Sequence, residues 1–455
     1  MDNKFTFRIG GVHPADRKLS RDCAIEVLPL PEKVSVSMAQ HLGAPAKPVV
    51  APGDRVKTGQ VIAEPAGFVS AFVHSPVTGT VTAVASKADL AGKMVMHIDI
   101  DVEKDEWAEG IDLTPELVTP LPDDKQLILD RIKAAGVVGL GGATFPTHIK
   151  LCPPPGKTAE YLIINGAECE PYLTSDYRMM LERPREILIG AALMQKVLGG
   201  PKCIAAVEDN KPEAVESLKD ALHFLQLFSK DYENIEIRVL KKKYPQGGEK
   251  QLIDAVTGRQ VKSMGLPIDA GAVVQNVATS FAVYEAVQKK KPLLTNVLSV
   301  TGDCLPPERQ HNYLFRIGIP LRYIAQVAGG VPEEAVKIVS GGPMMGKAIA
   351  NLDATTVKGS SSLLYLSAKQ TLRREEGPCI RCGKCAQACP MGLEPFLLKK
   401  LAEVGDQQAL EQNAVQDCLE CGCCQYTCPA YLPLLDTIRI AKADVLNLIK
   451  SRPKN

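Results

Sequence analysis

The chain has no apolar run long enough to cross a bilayer, which takes about 20 residues. The nearest approach, Glu186 to Gly200, is shorter and is interrupted by Gln195 and Lys196, so any membrane association is expected to be peripheral. Net charge is equally scarce: 53 basic against 52 acidic residues leave +1, which offers no electrostatic handle for nucleic acid. No apolar stretch of signal-peptide length follows Met1-Asp2-Asn3-Lys4-Phe5. A disulfide framework is missing as well, because Cys23, Cys152, Cys169, Cys203 and Cys304 are scattered singly, a usage that fits a reducing cytoplasm. The seven histidines are scattered too and suggest no nucleophilic triad; His148 is expected to be a surface or structural residue. What remains, 45% hydrophobic and 23% charged over 455 residues, is the balance of a soluble chain of about three to four domains.

Against that background one pattern is dense and occurs twice. Cys379-Ile-Arg-Cys382-Gly-Lys-Cys385-Ala-Gln-Ala-Cys389-Pro390 is followed by Cys418-Leu-Glu-Cys421-Gly-Cys423-Cys424-Gln-Tyr-Thr-Cys428-Pro429. Each is C-x2-C-x2-C-x3-C-P, the run that ligates [4Fe–4S] clusters in bacterial two-cluster ferredoxins, where the fourth cysteine of each run serves the other cluster. Three thiolates on one tight loop reach three corners of a cubane, and the fourth comes from elsewhere. One cluster is therefore expected on Cys379, Cys382, Cys385 and Cys428, and the other on Cys418, Cys421, Cys424 and Cys389. A structural zinc site uses four ligands and needs no doubled third and fourth cysteine followed by proline. Cys423 stands one residue out of register and is expected to be a small packed thiol.

The first hundred residues read as short strands and turns, with Gly and Pro punctuating β-branched pairs from Val49 to Val81. They resemble the barrel-sandwich hybrid of biotinyl and lipoyl carrier domains, yet the span from Ile62 to Pro76 has no lysine to receive a prosthetic group. A structural or docking role is expected instead. A helix-period stretch, Asp123 to Ala135, then runs into the glycine-rich Gly136–Lys150. Clustered glycines let backbone N–H groups close around a phosphate. The loop follows a helix rather than a strand, so it is not the usual dinucleotide fingerprint, and alone it serves equally as a helix C-cap and turn. A strand at Tyr161–Asn165, helix Pro184–Leu198, strand Cys203–Val207, helix Pro212–Phe228 and strand Ile235–Leu240 continue an α/β alternation.

With the loops Asn165-Gly166-Ala167-Glu168-Cys169-Glu170-Pro171, Tyr244-Pro245-Gln246-Gly247-Gly248-Glu249 and Asn276-Val277-Ala278-Thr279, this region resembles the flavin- and NADH-binding subunit of respiratory complex I. Carried over by motif, the resemblance implies FMN held by Gly139, Gly141, Gly142, Ala143, Lys150, Asn165, Glu168, Asn276 and Thr279. Glu170, Tyr244 and Glu249 would flank the nicotinamide. The chain departs from the family at Ala167, Gly248 and Leu140, where two acids and an arginine are replaced. Residues from about Pro292 to Ala350 look like the β-grasp domain that follows the flavin domain in that family, with Met344 and Met345 expected as core filler.

The whole order resembles the RnfC family, one of the subunit families of Rnf ion-translocating electron transport complexes. The expected fold is multidomain α/β and α+β: a barrel-sandwich-like β module over 1–115, an FMN/NADH-binding α/β domain over 116–290, a β-grasp domain over 291–360, and a ferredoxin-like helical module with two 4Fe-4S clusters over 361–455. By resemblance such a subunit lies peripherally on the cytoplasmic side of the bacterial inner membrane. It passes electrons between NAD(H), FMN, two [4Fe–4S] clusters and the other Rnf subunits, integral membrane ones among them, and meets ferredoxin indirectly. Two other readings stay open: a cobalamin-reductase-like flavin–iron–sulfur reductase, and a non-enzymatic electron-relay or assembly subunit with a vestigial flavin site.

Overall fold

The computed structural model describes residues 5–452; Met1 to Lys4, part of the N-terminal stretch read above, lie outside the described residues. Among the described residues no helix is long and apolar enough to cross a membrane. The β module pairs the strands Lys33–Ser37, Met94–Val102, Gly79–Ala88 and Arg55–Val56 in one sheet, and Lys47–Pro48, Val61–Glu64 and Val73–His74 in a second. Period-two alternation puts Val34, Val36, Val81, Ile98 and Ile100 into the core. The long hairpin of this module turns at Asp89–Gly92, where Asp89 Oδ1 accepts from the N–H groups of Ala91 and Lys93.

The α/β domain is a four-stranded parallel sheet in the order Ile235–Leu240, Lys202–Glu208, Tyr161–Gly166, Ala272–Asn276. Its strands are covered on both faces, which is why Leu162, Ile163 and Ile164 run without polar interruption. Helices Pro184–Val197, Pro212–Gln226 and Val277–Gln288 pack on one face, and helix Glu249–Thr257 with Phe7 on the other. The helix expected at Asp123–Ala135 forms over Lys125–Ala134, and the Asp124 carboxylate caps it by accepting from the N–H groups of Gln126 and Leu127.

The next unit is a six-stranded mixed sheet built around Thr295–Gly302, His311–Arg316, Ala335–Ser340 and Ser362–Ser367. The C-terminal module has helices Lys384–Ala388, Pro395–Glu403, Gln407–Gln412, Cys423–Tyr426 and Leu434–Ser451.

The chain crosses the domain limits expected from sequence in two places. Ser362–Ser367 lies in the middle of the mixed sheet, past the limit at 360, because its run of buried side chains needs strands on both sides. Residues 5–27 do not stay with the β module. Phe5 bridges Leu240 and Val12 bridges Tyr244, the Gly11 N–H donates to the Ala388 carbonyl (2.9 Å), and Ile25–Val27 pairs in parallel with Asn312–Leu314. This strap touches every unit that follows. At Gly10, with φ +63°, a Cβ would stand 2.4 Å from the Cys389 carbonyl oxygen, so the strap lies directly on the cysteine module.

Candidate active site and cysteine module

Asn165 and Asn276 sit opposite each other at the carboxyl ends of adjacent parallel strands. The chain departs from them in different directions, which is where an open α/β sheet leaves a crevice. The Asn165 amide donates to the Gly247 carbonyl (3.0 Å) and its oxygen accepts from the Ala167 N–H (3.0 Å), tying two of the motif loops together. The Asn276 oxygen caps helix Val277–Gln288 through the Ala278 N–H (2.8 Å), and its amide donates to Asp176 Oδ2 (2.7 Å). The glycine loop closes over this crevice. Its neck is the Gly139 N–H donating to the Phe145 carbonyl (2.9 Å). At Gly141 a Cβ would stand 3.3 Å from the Asn276 Cβ, and Gly142 has φ +108°, a backbone that side chains rarely adopt.

The resulting cavity measures about 860 Å³, within the usual range for small-molecule sites. Every residue expected to hold FMN or nicotinamide lines it except Thr279. Thr279 is buried behind the loop, and its Oγ1 accepts from the Leu140 N–H (2.8 Å). Lys150 and Glu249, expected at the phosphate and nicotinamide sides respectively, form an ion pair of 2.6 Å. His148 is not on the cavity wall.

Three carboxylates, Glu168, Glu170 and Asp176, sit in or beside the cavity. Burial pushes Glu170 up to about 7, against the N–H groups of Met344 (3.1 Å) and Met345 (2.9 Å) and the Tyr244 hydroxyl (3.3 Å), which donate to it. Burial, then the neighbouring Glu168 charge, pushes Asp176 up to about 7. Glu168 Oε1 accepts from the Asp176 N–H (2.9 Å), while its Oε2 is buried without a hydrogen-bond partner. The amide nitrogen of Gln275, another wall residue, is also buried without one. Lys18 from the strap anchors the loop by donating to the carbonyls of Glu168, Glu170 and Leu173 (2.6–2.8 Å). A glycine cradle, one cation and unspent buried polar atoms fit a phosphate-bearing ring such as FMN.

The eight cysteines of the two runs differ in their surroundings, and Cys423 joins one set of them on a cavity wall. A second, small cavity is walled by Cys418, Cys421, Cys424 and Cys389 among apolar neighbours including Leu393, Leu398 and Ile438. Burial raises the thiols of Cys389, Cys418 and Cys424, and Cys421 adds to each. Burial likewise raises Cys385, with Cys428 of the other run adding to it. Cys379 and Cys382 are exposed. Cys423 is fully buried against Tyr244 and Cys421. The two cavities adjoin: Cys421 lines both, and the Tyr244 hydroxyl donates to the Cys421 carbonyl (2.9 Å).

Family models match three parts of the chain: an RnfC barrel sandwich hybrid domain at residues 5–106, a Nuo51 FMN-binding domain at 132–285 and a 4Fe-4S dicluster domain at 371–429. The chain is 44% identical to a subunit of the proton-translocating ferredoxin:NAD(+) oxidoreductase complex of Clostridium ljungdahlii, over 96% of this chain and 93% of that one. It is 40% identical to the corresponding subunit of the Na(+)-translocating ferredoxin:NAD(+) oxidoreductase complex of Acetobacterium woodii, over 97% of each. The chain belongs to the RnfC family. As an RnfC protein it carries FMN and two 4Fe-4S clusters and acts in oxidoreduction. An NAD+-reducing [NiFe]-hydrogenase in the H2-reduced state shares the fold, with TM-score 0.51 and 20% identity over 74% of this chain and 64% of that one.

Several residues of this RnfC site carry no sequence signal. Asp176 and Gln275 lie in ordinary helix and strand patterns, and Lys18 acts from more than 140 residues upstream of the loop it anchors. Met344 packs partly buried against Tyr244 and Cys423 as expected of core filler, whereas Met345 is exposed; both present backbone N–H groups to Glu170. The β module also reaches the flavin cavity, contributing Ser37, Ala39, Asp89, Leu90, Ala91 and His97 to its wall.

Proposed function

We propose that this chain is the NAD(H)-reacting subunit of a membrane-bound, ion-translocating ferredoxin:NAD+ oxidoreductase complex. It exchanges electrons with NAD(H) at FMN and with the other subunits through two [4Fe–4S] clusters. Integral membrane subunits are its partners, it lies on the cytoplasmic face, and ferredoxin is met through another subunit. The relatives differ in the ion their names state, H+ or Na+, and all coupling belongs to the membrane partners. The mixed sheet is read as a β-grasp domain whose loop at Gly341–Gly346 closes the site against Glu170.

The observation that carries this reading is the shared wall: Cys421 borders both the flavin cavity and the interior cysteine cavity, with Tyr244 bonded to its carbonyl. Bound FMN supplies the exchange between hydride chemistry and one-electron carriers. In this reading Gly141 and Gly142 bring backbone close to the phosphate without a Cβ, Lys150 adds a positive charge, and Thr279 fixes the loop from behind. Glu170 and Tyr244 orient the nicotinamide side and exclude water from the wall next to the cysteines. Glu249 holds Lys150 until a ligand competes for it.

Anaerobic stopped-flow on the full chain tests the reading. NADH should bleach the flavin absorbance first and the cluster absorbance after it. Glu249→Ala should slow the NADH step and keep stoichiometric FMN, because it leaves the glycine cradle intact and frees Lys150. A flavin-loaded wild-type chain that NADH does not bleach would overturn the enzyme reading in favour of a relay subunit.

A further inference from the structure

The carrier-like β module has no lysine on the hairpin where carriers are loaded, and it nonetheless walls the flavin cavity. Its contribution has a definite chemistry. Ser37 and His97 are directly paired across the antiparallel strands Lys33–Ser37 and Met94–Val102, so their side chains share a face. Both are buried, 2% and 4% exposed, and both line the cavity. Ser37 Oγ accepts from the Ala39 N–H (3.1 Å) and His97 Nδ1 meets the Val95 carbonyl (3.0 Å), which leaves the Ser37 hydroxyl proton and His97 Nε2 for a ligand with donors and acceptors of its own. Beside them Ala39 is small, and the tip of the long hairpin, Asp89-Leu90-Ala91, adds a carboxylate and two apolar groups to the same wall. One Asp89 oxygen holds the turn, and the other accepts no hydrogen bond among the described residues. A backbone contact fixes the module there: the Leu42 N–H donates to the Thr144 carbonyl of the glycine loop (3.2 Å).

NAD(H) is far longer than its reacting ring. With the nicotinamide at Glu170 and Tyr244, the remainder of the molecule must lie along the rest of the cavity. A heteroaromatic base carries donors and acceptors at its edge, and a ribose diol is well met by a carboxylate. We propose that the β module forms the adenosine subsite of the NAD(H) site, with Ser37 and His97 facing the base, Leu90 and Ala91 packing on it, and Asp89 accepting from the ribose hydroxyls. This rests on the functional reading above and assigns the N-terminal module a task in nucleotide recognition.

The test is calorimetric binding of NAD+ and of nicotinamide mononucleotide to the oxidised, flavin-loaded full chain, so that no electron transfer intervenes. The mononucleotide lacks the adenosine half. Ala91→Trp, at an exposed turn position, fills the proposed subsite; its FMN and iron contents, equal to those of wild type, show that it is folded and loaded. Ala91→Trp should weaken NAD+ about tenfold or more, the scale of about 1.4 kcal/mol, and leave the mononucleotide unchanged. Equal weakening of both ligands, or no change in either, places the adenosine elsewhere and overturns the proposal. A wild-type chain that binds neither nucleotide overturns the reading of the cavity as a dinucleotide site, and this subsite with it.

Discussion

Lys384 and Cys423 occupy the same place in two copies of one motif, 39 residues apart, yet Lys384 is in solvent and Cys423 is fully buried. The backbone of the copies repeats closely. Arg381 and Glu420 both have φ +55°, Gly383 and Gly422 have +72° and +76°, and Gly392 and Tyr431 have +67° and +55°. A helix begins six residues past the last cysteine of each, at Pro395 and Leu434. The difference is in what surrounds them. The second run meets Tyr244 and the flavin cavity, while the N-terminal strap lies on Cys389, the last cysteine of the first run. The first presents Cys379, Cys382 and the exposed Ile380 to the outside. One motif used twice thus leaves one run buried beside the large cavity and the other open to solvent, and the module is oriented by which copy it buries.

The sharpest way to break this contrast is to remove a crossed ligand. Cys428→Ala should cost the peripheral cluster, nucleated by Cys379, Cys382 and Cys385, and halve the iron of a dicluster module of two four-iron groups. Loss of the interior cluster instead, seen by electron paramagnetic resonance, would show that each run ligates its own. Gly141→Val follows in size. Its side chain intrudes on Asn276, so FMN retention should be lost while both clusters assemble; flavin and iron assays on the same sample decide it.

Tyr244→Phe separates the two sites more finely. It removes the donor to the Cys421 carbonyl and one donor to Glu170, at a cost of about 1–3 kcal/mol for a buried acceptor left unpaired. Redox titration should show the interior cluster's midpoint moved and the peripheral one's unchanged. Glu170 supplies a pH test. Its pKa is raised from 4.5 to about 7 by burial, so between those values the folded state holds a proton that the unfolded state has released. Stability from this group is complete below about 4.5 and is lost as the pH rises through about 7. Thermal unfolding across that range should fall for wild type and be flatter for Glu170→Gln. Cys423→Ser should do least: all eight irons stay, and any drop in iron would make Cys423 a ligand.

The legible parts of the site were those written in local spacing. The doubled cysteine run prescribes its own loops, and the glycine loop, the Asn165 strand end and the Asn276 cap are each set within a few neighbouring residues, so motif alone brought eleven of the twelve residues to one cavity. Thr279 was placed in the right region but behind the loop, because spacing does not say which face of a first helical turn meets ligand. The parts that were not legible depend on distant partners. Lys18 reads as an ordinary surface cation until the loop it anchors folds over it. The β module alternates as any half-buried sheet does, and nothing in Ser37 or His97 announces a cavity between modules. The edge of the mixed sheet was missed for the same reason: Ile25–Val27 is three residues long and takes its strand character from Asn312–Leu314.

The strap also sets the order in which this protein can be made. Its residues leave the ribosome before any of their neighbours exist: Ile25–Val27 waits for Asn312, and Gly11 waits for Ala388. Contacts of such separation are slow to form, and segments awaiting partners are open to misassembly while synthesis continues. The β module can close on its own strands meanwhile and seat on the mixed sheet once that has emerged, but the contact of Gly10 with Cys389 comes only after the cysteine module has emerged. The strap is thus laid down last, on a cysteine module that has already emerged.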